Sequence, residues 1–206
     1  MKIIELIIDE LQEDGVEAIS VVESPAIEAN FVALKSAKSA EVKFAQQAGD
    51  KRILMGPVLI PNKPIFRANS DEEYYIYFSR DTVKKASELY LQAGNQSKST
   101  LEHQMDITGL TLVESWIIED KANDKSNFYD MDLPVGTWMG AVKVNNDEIW
   151  NNYVKTGKVK GFSIEGYFAD KAERPKEALP EALLSAEKQA DLLVAKLKAI
   201  ISSNHS

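Results

Sequence analysis

Apolar and polar residues alternate in places along this chain with the period of a strand rather than that of a helix. The clearest case runs from Lys158 to Phe168, KVKGFSIEGYF. There Val159, Phe162, Ile164, Tyr167 and Phe168 interleave with Gly161, Ser163, Glu165 and Gly166. β-Branched and aromatic residues in near alternation read as a strand. Two glycines inside it mark a bulge or a close approach by another backbone or a ligand. Alternation puts Ser163 on the face opposite Phe162 and Ile164. If that opposite face is core, Ser163 stands in a cleft with little bulk around it. It is then either a nucleophile or a small residue of a barrel strand.

Further strands are predicted at 52–61, a strongly apolar run, and at 65–67, 72–78, 110–118 and 134–144, while the apolar run 3–8 suits a buried strand, the favoured reading, or a short apolar helix. Residues 16–34 are mostly extended, interrupted by Pro25, and Gly56–Pro57 signals a bulge or a barrel corner. Helical periodicity appears from Ser79 to Ala93. Ser79 or Asp81 can cap this helix, Val83, Ala86, Leu89 and Tyr90 form its apolar face, and Gly94–Asn95 ends it. Residues 96–100 read as a polar loop. A second helix, NDEIWNNYVKTG, follows a cap at Asn145 or Asn146 and stops at Gly157. The polar, alanine-rich segment 35–51 reads as a linker or loosely held surface piece.

Beyond Arg174–Pro175 the pattern changes. Leu179, Leu183, Ala186, Ala190, Leu193, Leu197 and Ile200 recur at spacings of 4 and 3, a seam of about three heptads. Such a helix either lies on its own domain or meets a partner helix. The predicted organisation is therefore a body over residues 1–170 and a helical tail over 171–206, which is open to self-association or scaffold binding. The body is mainly β (α+β). Its many short strands, internal glycines and two helices favour a β-barrel or strongly bent sheet with peripheral helices. A doubly wound fold would need strand–helix alternation throughout, and no phosphate-binding glycine fingerprint is present.

Composition narrows the chemistry. A formal charge of −8 argues against nucleic acid as a partner, since that affinity rests on clustered Lys and Arg. No apolar run reaches 18 residues, so no membrane span is expected. The opening MKIIELIIDELQEDG carries acids within its apolar run and does not read as a secretory signal. Without cysteine there is no disulfide, thiolate metal site or thiol nucleophile. With only His103 and His205, a multi-histidine zinc site is not expected, and neither a metal nor a cofactor is implied.

Hydrolysis by serine needs a base for its proton and an orienter for that base. His103 is the imidazole available within the body. Glu114 stands in the middle of the apolar strand LTLVESWII, where a carboxylate must be paired or face a polar cleft. Its alternative is an outward-facing strand position. Glu165 competes for the third role, because it shares a strand face with Ser163. Asp106 and Asp120 fall in predicted loops and compete less well.

These residues also carry a resemblance. EHQ at 102–104, GLTLVESWIIED at 109–120 and DLPVGTWMGAVKVNNDEIWNNYVKTGKVKGFSIEGYF at 132–168 resemble the XkdF-like phage serine proteases. Those are similar to the prohead (capsid maturation) proteases of tailed phages and, more remotely, to herpesvirus assemblins. AISVVESPAIEANFVAL at 18–34 and RILMGPVLIPNKPIFR at 52–67 resemble the amino-terminal region of the family. The resemblance implies an assemblin-like closed β-barrel with Ser163 as nucleophile, His103 as base and Glu114 as the acidic member. Assemblins use a second histidine after the serine, and here none lies between Ser163 and His205. The implied substrates are phage scaffold and major capsid protein extensions, and often the protease itself. The implied place is the immature head in the host cytoplasm. A non-enzymatic scaffold- or capsid-associated protein with the same barrel is the rival reading, and a small-molecule-binding barrel is a third.

Overall fold

A computed structural model describes residues 2–8, 15–34, 51–68 and 72–170 of the chain. In chain order the elements are β1 (Lys2–Ile7), β2 (Gly15–Val22), β3 (Val32–Leu34), β4 (Ile53–Leu59), β5 (Ile65–Ala68), β6 (Glu73–Phe78) and α1 (Arg80–Gln92). There follow β7 (Ser99–Leu101), β8 (Met105–Ile107), β9 (Leu110–Ile117), β10 (Trp138–Val144), α2 (Asp147–Ile149), β11 (Gly161–Tyr167) and β12 (Ala169–Asp170). The predicted linker, apart from Lys51, and the seam of the tail fall outside the described residues.

The described fold is mainly β, but the expected closed barrel does not form. The strands make three separate four-stranded sheets, ordered β12-β1-β6-β5, β3-β4-β10-β9 and β11-β2-β7-β8. Closing a sheet requires every strand to be paired on both sides with a consistent stagger. Here loops and side chains take the places that closing strands would need. At the start of β11, the Phe31 N–H donates to the Lys160 carbonyl at 2.8 Å. Gly161 lies so close to Pro25 and the Ala29 carbonyl that a Cβ there would be 2.6 Å from the proline ring. The loop between β2 and β3 thus caps this end of the edge instead of a strand. On the far edge of the second sheet, β9 exposes Val113 and Glu114 to solvent.

Apolar faces from all three sheets meet in one core that includes Phe162, Val21, Leu54, Leu110 and Trp138. Burying each such side chain contributes about 1.5–3 kcal/mol. Phe162, on the β11 face opposite Ser163, stacks at a tilt on Phe31 with centroids 5.1 Å apart. Helix α1 lies against β2, β9 and β10 and inserts Val83, Ala86 and Tyr90. Its start is capped by the Ser79 hydroxyl, which accepts from the Thr82 N–H, and the chain leaves it through Gly94 at φ 73°. A bulge does follow Gly56–Pro57, because the register against β10 slips between Trp138 and Met139 and leaves Val58 as the extra residue. A bulge is where a central strand tolerates a missing N–H.

Three local predictions are corrected. The second helix is one α turn, capped by Asn146, that widens into a π turn over Trp150–Val154 and ends at Gly157. The strand predicted from 134 begins only at Trp138, since 134–137 is a turn closed by the Thr137 hydroxyl on the Pro134 carbonyl at 2.7 Å. The polar loop at 96–100 contains the start of β7, with Ser99 and Thr100 buried. Its parallel pairing with β2 overrides a polar local sequence.

The second glycine of β11 has a testable consequence. The register with β2 slips between Glu165 and Gly166, and a Cβ on Gly166 would stand 1.9 Å from the Gly15 carbonyl oxygen. Backbone cannot yield as a side-chain tip can, so Gly166→Ala is expected to destabilise the protein by roughly 3 kcal/mol. Chemical denaturation measures this, and an unchanged midpoint would refute the close approach.

Candidate active site

The turn between β7 and β8 is Leu101–Glu102–His103–Gln104, closed by the Gln104 N–H on the Leu101 carbonyl at 3.1 Å. Its two central residues have φ 54° and 57°, the form of a type I′ turn. Such turns are usually Asn-Gly. A non-glycine residue held there costs on the order of 1–3 kcal/mol and persists only where its surroundings over-determine it. They do so here. The Glu102 N–H donates to the Val21 carbonyl at 3.2 Å. The His103 N–H donates to the Ser20 hydroxyl at 3.1 Å, and the Glu23 N–H donates to Glu102 Oε1 at 2.6 Å. Ser20 is fully buried, and its hydroxyl donates in turn to the Thr100 carbonyl at 3.3 Å.

Strand β2 joins the two halves of the site. It pairs antiparallel with β11, placing Ser20 opposite Ser163, and parallel with β7, placing Ser20 opposite Thr100. Residues opposed across a sheet share a face, so Ser163, Ser20 and Thr100 form a polar row. Glu165, two residues from Ser163, lies on the same face about 7 Å along the strand. The His103 Nδ1 is 3.0 Å from Glu165 Oε1, and the Thr100 hydroxyl donates to that same oxygen. A carboxylate can only accept. The proton of this bond therefore sits on Nδ1, which leaves the Nε2 lone pair available as a base. The imidazole is 42% exposed and the Glu165 side chain 30%, so solvent reaches both. Ser163 is partly buried and contributes to the lining of a cavity of about 350 Å³.

Of the residues singled out from sequence, His103 and Glu165 meet directly, and Ser163 lies on the strand that bears Glu165, on the same face. Glu114 lies elsewhere, on β9 of a different sheet, where its carboxylate is paired with Lys125, whose ammonium sits 3.8 Å from the Trp116 ring centroid. Asp106 lies on β8 opposite Thr100 and is exposed. Asp120 closes a surface turn. The Asn123 side-chain amide and the Ala122 N–H bond to its carboxylate and hold the pKa below the usual range. Sequence reasoning missed Ser20, Thr100 and Glu102. Ser20 had a signal, as a polar residue within the apolar run AISVV, where burial demands hydrogen bonds. Thr100 and Glu102 had none, because their neighbours come from 65 or more residues away. Among the described residues no group of three or more acidic or histidine side chains is arranged to hold a metal ion.

A serine, an imidazole held by a carboxylate, and a buried network fixing the histidine are the parts that serine hydrolysis requires. The chain belongs to the family described as putative phage serine protease XkdF, which it matches over residues 41–173, a span containing Thr100, His103, Ser163 and Glu165. No curated protein and no solved structure matches it significantly.

Proposed function

We propose that this protein is a serine endopeptidase that matures the phage head, cleaving scaffold and capsid-protein extensions within the prohead, and often itself. The observation that carries the reading is the hydrogen bond from the His103 ring to Glu165, on the strand that bears Ser163. In this mechanism Ser163 Oγ attacks the scissile carbonyl while His103 Nε2 takes its proton. Glu165 stabilises the imidazolium that forms and keeps the ring in the useful tautomer. His103 then protonates the leaving amine, which departs as the C–N bond breaks. Water, deprotonated by the same nitrogen, hydrolyses the acyl-enzyme and restores the serine. Glu165 takes the orienting role in place of Glu114, because it is the carboxylate on the ring nitrogen.

The test is co-expression of the full chain with the scaffold and major capsid proteins of its own phage. Shortened products of either protein, mapped by mass spectrometry, are the expected result. Assembled heads containing the folded protein and only full-length substrates would overturn the proposal.

A further inference from the structure

Among the described residues β11 is paired only with β2, and its other edge, which packs near β4 without a ladder to it, is unpaired from Phe162 to Tyr167. The Gly161 end of that edge is closed by the loop bearing Pro25 and Ala29. Beyond this cap the strand borders the cavity of about 350 Å³. Phe162, Ile164 and Phe168 form one wall, and Ile65, Ile76 and Phe78 form part of the other. Ser163 belongs to the same lining, so the cavity reaches the strand that bears Ser163 and Glu165, although Glu165 and His103 do not line it. Arg67 is the one charged residue among the described lining residues, and burial lowers the pKa of its guanidinium.

An unpaired strand edge is a template for an extended peptide, and side chains of an added strand alternate in step with those of the edge. The residue opposite Ser163 would then share the face of Ser163 and Glu165. Its neighbours in the peptide would share the face of Phe162 and Ile164, which is the face lining the cavity. We infer that the substrate is an extended peptide added to the free edge of β11, with an apolar side chain, adjacent to the residue held at Ser163, seated in this cavity. Arg67 disfavours a lysine or arginine in that position, because a second cation would meet a like charge on the cavity lining. The inference rests on the protease reading and adds the class of substrate.

The experiment compares peptidyl phosphonates on the full chain, with Leu, Phe or Lys next to the reactive residue, beside a small alkyl fluorophosphonate lacking any peptide. Leu and Phe probes are expected to react at least about tenfold faster than Lys, in line with what one or two buried methylenes contribute to selectivity. Ala26→Phe places a ring on the cavity lining and should slow the Leu probe about tenfold, with a thermal melt as the check on folding. Arg67→Glu, at an exposed position, should raise reactivity toward the Lys probe by a similar factor. Equal rates for Leu and Lys in a protein that the fluorophosphonate still labels would overturn the pocket and leave the protease reading standing. Failure of every probe, the fluorophosphonate included, would overturn both.

Discussion

Ser163→Ala is expected to abolish cleavage of scaffold and labelling by a fluorophosphonate, a loss of about 10³-fold or more, while leaving the fold intact. His103→Ala should be as damaging, because members of such a unit do not act additively. The two differ in stability. Ser163 is only partly buried on β11, so its hydroxyl can be removed at little cost. His103 sits at φ 57°, in a conformation that costs a residue with a Cβ about 1–2 kcal/mol. His103→Gly should therefore be inactive yet about 1 kcal/mol more stable than His103→Ala. Such a difference would show that the turn stores strain in order to aim the imidazole. Wild-type processing by a folded Ser163→Ala protein would eliminate the mechanism.

The second large effect separates two carboxylates. Glu165→Gln should lower kcat/KM by about 10²–10⁴-fold, the range seen when the orienting acid of a triad is neutralised. The amide keeps the shape of the side chain but no longer stabilises an imidazolium or enforces the proton on Nδ1. Glu114→Gln removes one exposed ion pair to Lys125, worth about 0–1 kcal/mol of stability, and should leave kcat/KM unchanged. Steady-state rates on a peptide substrate, with Lys125→Gln as a control for the ion pair, decide the matter. A large loss in Glu114→Gln with none in Glu165→Gln would return the orienting role to Glu114.

Local pattern carried much of this architecture. Local sequence marked β4, as a continuous apolar run, and β9, β10 and β11 to within a few residues, and the Ser79 cap and Gly94 stop bounded α1. The glycines of β11 were legible as sites of close approach, and alternation set Ser163 and Glu165 on a face away from Phe162. These features follow from the chain's own covalent geometry, which acts over a few residues. Tertiary structure decided what lies beside each face. Alternation tells which side of a strand a residue occupies, and not which strand comes next. So the expected barrel gave way to three separate sheets, and a segment read as a polar loop became β7. The same limit explains the acid. Glu114 and Glu165 are both strand carboxylates, and sequence and resemblance together favour Glu114, with Glu165 as competitor. Only the parallel pairing of β2 with β7, across some 80 residues of chain, carries His103 over Ser20 and onto the face where Glu165 waits.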